Sequence, residues 1–113
     1  MALAFDISEQ ELPLFLSEAD EHLQALDSHL LLMERQDYDA ETLQSIFRSA
    51  HTLKGMAGMI GHTRMVRLTH ALETAFDGIR KGSLAVSEVL IDLCLDAVDG
   101  LRYLRDEVVS RTE

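Results

Sequence analysis

Apolar residues recur along most of the chain in alternating steps of three and four, the period of a helix that buries one face. From about residue 10 to residue 34, Leu12, Leu16, Ala19, Leu23, Leu26, Leu30 and Met33 form one such seam. Pro13 has no backbone N–H and is tolerated only in a first turn, which places the start of this helix around residues 10 to 12. Gln36 to Asp39 is a polar break, and Asp37 or Asp39 is suited to cap the next helix. A second segment, about 40–60, carries Leu43, Ile46, Ala50, Leu53, Ala57 and Ile60 and stops at Gly61. Thr63 is the expected N-cap of a third helix, about 64–81, with Met65, Leu68, Leu72, Ala75 and Ile79 on its seam. It ends on Arg80–Lys81 and Gly82, where positive charge suits a helix C-terminus. Ser83 or Ser87 opens a fourth, about 87–109, with Val86, Leu90, Leu93, Ala97, Leu104 and Val108 available to the core.

Four amphipathic helices joined by short loops predict an all-α fold, an up-down-up-down four-helix bundle forming one domain over residues 1–113. That length buries a core without metal or disulfide staples. With 47% hydrophobic and 27% charged residues, the composition is that of a soluble globular domain. Cys94 is the only cysteine, which excludes an intrachain disulfide and a cysteine-based zinc site. It is expected to be a small buried hydrophobe. The formal net charge of -10 argues against nucleic acid and against an anionic membrane surface. Met1 to Gln10 has no basic start and no long apolar run, so no signal peptide is expected. No window approaches the length of a membrane span, so direct membrane insertion is not expected and a cytoplasmic location is the default.

The second helix contains one stretch that simple packing does not explain. Gly55 and Gly58 inside a helix each cost roughly 1 kcal/mol relative to alanine. His51, Lys54, Gly55 and Gly58 stand at i, i+3, i+4 and i+7 and share one stripe, about a third of a turn from the Ala50–Leu53–Ala57 seam. This places an imidazole at the surface, beside bare backbone that another protein can approach, with a cation one turn along. The plainer reading is that the glycines admit a neighbouring helix and His51 is an ordinary solvated residue. The third helix adds His70 and Glu73 at i and i+3. If the two helices are antiparallel neighbours, Glu73 can accept from the Nδ1–H of His51, which leaves the lone pair on Nε2 for attack on phosphorus. Lys54 can then balance charge on phosphoryl oxygens.

Residues 47 to 61, Phe-Arg-Ser-Ala-His-Thr-Leu-Lys-Gly-Met-Ala-Gly-Met-Ile-Gly, resemble the phosphoacceptor helix of histidine-containing phosphotransfer (HPt) domains, in particular the N-terminal domain of chemotaxis-type sensor histidine kinases (CheA). Thr69-His-Ala-Leu-Glu73 resembles the His-x-x-Glu pair of that branch, and Phe15 to Leu23 resembles its opening helix. The resemblance implies that His51 takes a phosphoryl group from a kinase ATP-binding domain and delivers it to an aspartate of a response-regulator receiver. It further implies that Glu73 orients His51, that His70 supports the pair, and that Gly55 and Gly58 face partners. No Gly-x-x-x-x-Gly-Lys loop or kinase signature is present, so no cofactor is expected in this domain, and ATP with Mg would be used by a separate kinase domain. Whether the domain counts as an enzyme by itself stays open. Met56 stands where many relatives carry a small residue. The chemotaxis domain often carries a fifth helix, and whether one follows the fourth here stays open. A start near Met1 suggests an N-terminal module of a longer chain, with a free-standing relay as the alternative.

Three other readings fit parts of this pattern. The dimeric phosphoacceptor hairpin of ordinary sensor kinases has an acid after the histidine and then a proline; here Thr52 follows His51, and no proline follows Pro13. Four helices in one chain also predict a monomer. A di-iron bundle needs Glu-x-x-His on two helices, and no histidine here has a glutamate three residues before it, so no metal site is expected. The third rival is a non-catalytic adaptor bundle that docks partners through the glycine-lined surface; only the chemistry of His51 separates it from a relay. Met56 and Met59 are read as core fillers in preference to a docking surface.

Overall fold

The computed structural model describes residues 7–112; residues 1–6, within the stretch read for a signal peptide, and residue 113 lie outside the described residues. The helices are α1 (Leu12–Glu34), α2 (Ala40–Met59), α3 (Thr63–Arg80) and α4 (Glu88–Thr112). Each packs on its chain neighbours and α4 closes back on α1, while the diagonal pairs keep their backbones apart. α2 and α3 are the most closely packed pair, and the bundle measures 44 × 20 × 19 Å.

The helix ends follow local chemistry. Asp39 caps α2, accepting the Thr42 N–H at 2.9 Å while its own N–H reaches Thr42 Oγ1. Gly61 sits at φ 71°, with its N–H on the Gly58 carbonyl (3.1 Å) and the His62 N–H on Ala57 (3.0 Å). These paired bonds satisfy the last carbonyls of α2. Gly82 ends α3 in the same way. α1 uses Gln36 instead, a residue with a Cβ held at φ 59°, its N–H on Met33 and that of Asp37 on Leu32. A side chain in this left-handed region is strained, so Gln36→Gly should raise stability by roughly 0.5–1 kcal/mol. A later urea midpoint at unchanged slope would register the gain.

Three sequence expectations are corrected here. First, α3 is capped by His62 and not by Thr63: its Nδ1 accepts the Met65 N–H at 3.3 Å. Hydroxyl side chains cap helices more commonly, but burial selects the imidazole, which is fully enclosed and lies 3.4 Å from the Glu107 carboxylate of α4. That burial, opposed by Glu107, holds the His62 ring below its usual pKa. Second, Phe15 and not Leu12 or Leu16 enters the core in the first turns of α1; those two leucines are half-buried. Third, Leu93 is 60% exposed, and α4 faces inward through Ile91, Cys94, Val98, Leu101, Leu104 and Val108. The Val89–Leu95 run is apolar at all but one position, so periodicity alone does not choose its phase.

The outer contacts lock this phase. Arg105 grips Asp20 through two bonds of 2.9 Å, and Arg102 pairs with Asp27, tying α4 to α1. Gly100 leaves room for α3, since a Cβ there would stand 3.1 Å from Leu68 Cδ2. Cys94 is buried, which pushes its thiol up to about 11 and makes it an inert apolar filler. Among the described residues, no helix is long and apolar enough to cross a membrane.

Candidate functional site

The close α2–α3 pairing determines which side chains meet. His51 lies midway along α2 with 63% of its side chain exposed, whereas Glu73 on α3 is buried against it. The imidazole Nδ1 bonds Glu73 Oε2, and Lys54 Nζ bonds the other carboxylate oxygen, Oε1, at 2.6 Å. An ionised carboxylate only accepts, so the shared proton belongs to Nδ1, and in the neutral form of a ring so bonded the lone pair is at Nε2. Burial works against ionising Glu73, but the bonds from Lys54 and His51 outweigh it and hold the carboxyl below its usual range. Glu73 is therefore charged at neutral pH and acceptor-only, as its orienting position requires.

Of the four residues picked from the sequence, the structure gathers His51, Lys54 and Glu73. His70 is exposed one turn away on α3 and, among the described residues, makes no hydrogen bond to the other three. Lys54 is engaged by Glu73 but is only partly buried and carries three donors, so its ammonium can hold the carboxylate and still meet a further anion. Gly55 and Gly58 are both exposed, and a Cβ added at either would meet nothing within 4 Å. No neighbouring helix needs them to be glycine; they leave bare helix backbone open to solvent beside His51. Met59 is 87% exposed, so its reading as a core filler is corrected, while Met56 is half-buried.

A second group on the same face was not picked out from the sequence. The Phe47 ring lies 6.1 Å from the His51 ring and within 13° of parallel. The Arg80 guanidinium stands 4.2 Å from the Phe47 centroid, held by Gln44 Oε1 at 2.9 Å and by Asp77. Bonds from Lys81 and Arg80 keep the Asp77 carboxyl below its usual range. Phe47 precedes His51 by four residues, a spacing that signals contact on a helix, whereas nothing local ties Arg80 to either.

Known proteins agree with this architecture. The family model of the Hpt domain matches residues 10–105. The chemotaxis protein CheA of Bacillus subtilis is 39% identical over 101 residues, 89% of this chain, and that of Halobacterium salinarum is 36% identical over 83% of it. The chain spans about 15% of the length of the former and 14% of the latter. Among solved structures, the CheA phosphotransferase domain from Thermotoga maritima superposes with a TM-score of 0.82 at 36% identity, covering 88% of this chain and 95% of that one. A solution structure of the histidine phosphotransfer domain of CheA gives 0.85 at 36% identity, covering 95% and 80%. A four-helix bundle with an exposed, carboxylate-oriented histidine, matched over most of its length at this identity, belongs to the Hpt domain family, in the branch formed by the phosphotransfer domains of CheA.

Proposed function

We propose that His51 is the phosphoacceptor of a two-component relay of the chemotaxis type. The observation that carries this reading is the Glu73 carboxylate on Nδ1 of an otherwise exposed imidazole. In the first step the Nε2 lone pair attacks the γ-phosphorus of ATP held by a separate histidine-kinase domain. The N–P bond forms as the P–O bond to ADP breaks, and ADP departs with that bond pair. Glu73 stabilises the positive charge that develops on the ring, and Lys54 offsets part of the charge on the phosphoryl oxygens. In the second step a receiver aspartate oxygen attacks phosphorus, the P–N bond breaks, and its electron pair returns to Nε2. The domain supplies the nucleophile and its orientation; ATP and its metal belong to the kinase domain. The setting that fits this chemistry is the cytoplasm, with the domain acting as a monomer.

Incubation with a chemotaxis-type kinase core and ATP, followed by intact mass, tests the reading. One acid-labile, base-stable phosphate on His51 supports it. No label from several such kinases, with the fold intact, would leave a docking bundle as the better account.

The glycines extend the proposal to partner approach. Gly55→Ala fills open space on a helix and should stabilise the domain by about 1 kcal/mol. The same methyl should slow transfer to and from partner proteins several-fold. An unchanged transfer rate would mean that no partner meets that strip.

A further inference from the structure

We infer that Phe47 is a positioning residue for His51, held in place by Arg80. This rests on the phosphoacceptor reading of the histidine. The Glu73 bond holds the imidazole at Nδ1, one edge of the ring, and the hydrogen bonds of the described residues place nothing against its faces. Aiming Nε2 along the line of attack needs a second restraint, on the plane of the ring. Phe47 supplies one: its ring is stacked at 6.1 Å and 13° on the side of His51 that faces the start of α2.

A half-buried phenylalanine would itself be loosely held at this edge of the bundle. The Arg80 guanidinium lies over its ring, 4.2 Å from the centroid. That guanidinium is in turn held from both helices, by Gln44 on α2 at 2.9 Å and by Asp77 on α3. Phe47 thus contacts both His51 and Arg80, linking the imidazole to a side chain of α3. Phe47 orders the imidazole through its ring while Glu73, itself held by Lys54, orders it through Nδ1. In this assignment Arg80 acts on the reaction through Phe47.

The test compares Phe47→Leu, which keeps apolar bulk but loses the flat face, with Phe47→Tyr, which keeps it. Two readouts are needed: the NMR order parameter of the His51 Cε1–Hε1 bond in the unphosphorylated domain, and kcat and KM for labelling by a kinase core with ATP. Phe47→Leu should lower the order parameter and reduce kcat about five- to tenfold at unchanged KM for the domain. Phe47→Tyr should restore both, and Arg80→Ala should give a smaller loss in the same direction. A wild-type kcat in Phe47→Leu, or equal losses in the leucine and tyrosine variants, would overturn the assignment. A loss confined to KM would make Phe47 a docking contact and overturn it as well. Wild-type protein that takes no phosphoryl group would sink the acceptor reading, while the order parameters would still decide whether the stack restrains the ring.

Discussion

His51→Gln is expected to abolish acid-labile labelling while leaving the helix content and the unfolding midpoint close to wild type. The expected asymmetry between chemistry and stability follows from where the residue sits. Its side chain is 63% exposed, outside the core, and bonded to one neighbour. Removing it leaves Glu73 with the Lys54 ammonium still in place at 2.6 Å, so no buried charge is stranded. A surface change of this kind shifts stability by about 0.5 kcal/mol or less. Glutamine fills similar space but has no ring lone pair and cannot form the N–P bond, so labelling should fall to background. Intact mass and circular dichroism on the same sample separate the two effects. A label that survives in His51→Gln and disappears in His70→Gln would move the acceptor to α3 and break the assignment.

Glu73→Ala should slow acceptance by about ten- to a hundredfold without removing it, the scale on which groups that orient a reactive imidazole act. Without the carboxylate, the ring proton redistributes between the two nitrogens, and a ring carrying it on Nε2 has no lone pair there to attack. Glu73→Gln should fall between alanine and wild type, because an amide oxygen still accepts the Nδ1–H but brings no negative charge. The same substitutions carry a pH signature. The folded Glu73 carboxyl lies below its unfolded value, so the native state binds fewer protons than the unfolded chain as acid is added. Its contribution to stability is complete above the ordinary carboxylate range, near pH 4.5, and is lost as pH falls through the folded value. Wild type should therefore lose urea resistance more steeply than Glu73→Ala below about pH 4.5. Parallel pH curves, or an unchanged labelling rate in Glu73→Ala, would reject the orienting role.

Helix number and most boundaries could be read from the chain because they depend on neighbours within a turn or two. Asp39 is followed by its partner Thr42, and Gly61 and Gly82 allow the backbone geometry that ends a helix. Where the same device is built from an unsuited residue, as at Gln36, the sequence showed only a polar break. The α4 seam departs from its periodicity at Leu93 because the Val89–Leu95 run offers apolar residues on several faces, and only packing against α1 and α3 selects one. The His62 cap is not legible in the sequence for a related reason. Its value comes from burial beside Glu107, forty-five positions away in sequence (107 − 62).

The sequence by itself determined the stripe of His51, Lys54, Gly55 and Gly58, since a helix converts spacing directly into a shared face. It also made Glu73 a candidate partner, on the condition that α2 and α3 lie side by side. Only the tertiary structure decided that condition, and with it which of twenty acids meets the imidazole. It also decided that Lys54 rests on Glu73, that His70 stands apart, and that Arg80 covers Phe47. The physical reason is the same in each case. Contacts between helices depend on their rotation and axial register, which are set by the summed packing of the whole core and not by any short stretch of sequence.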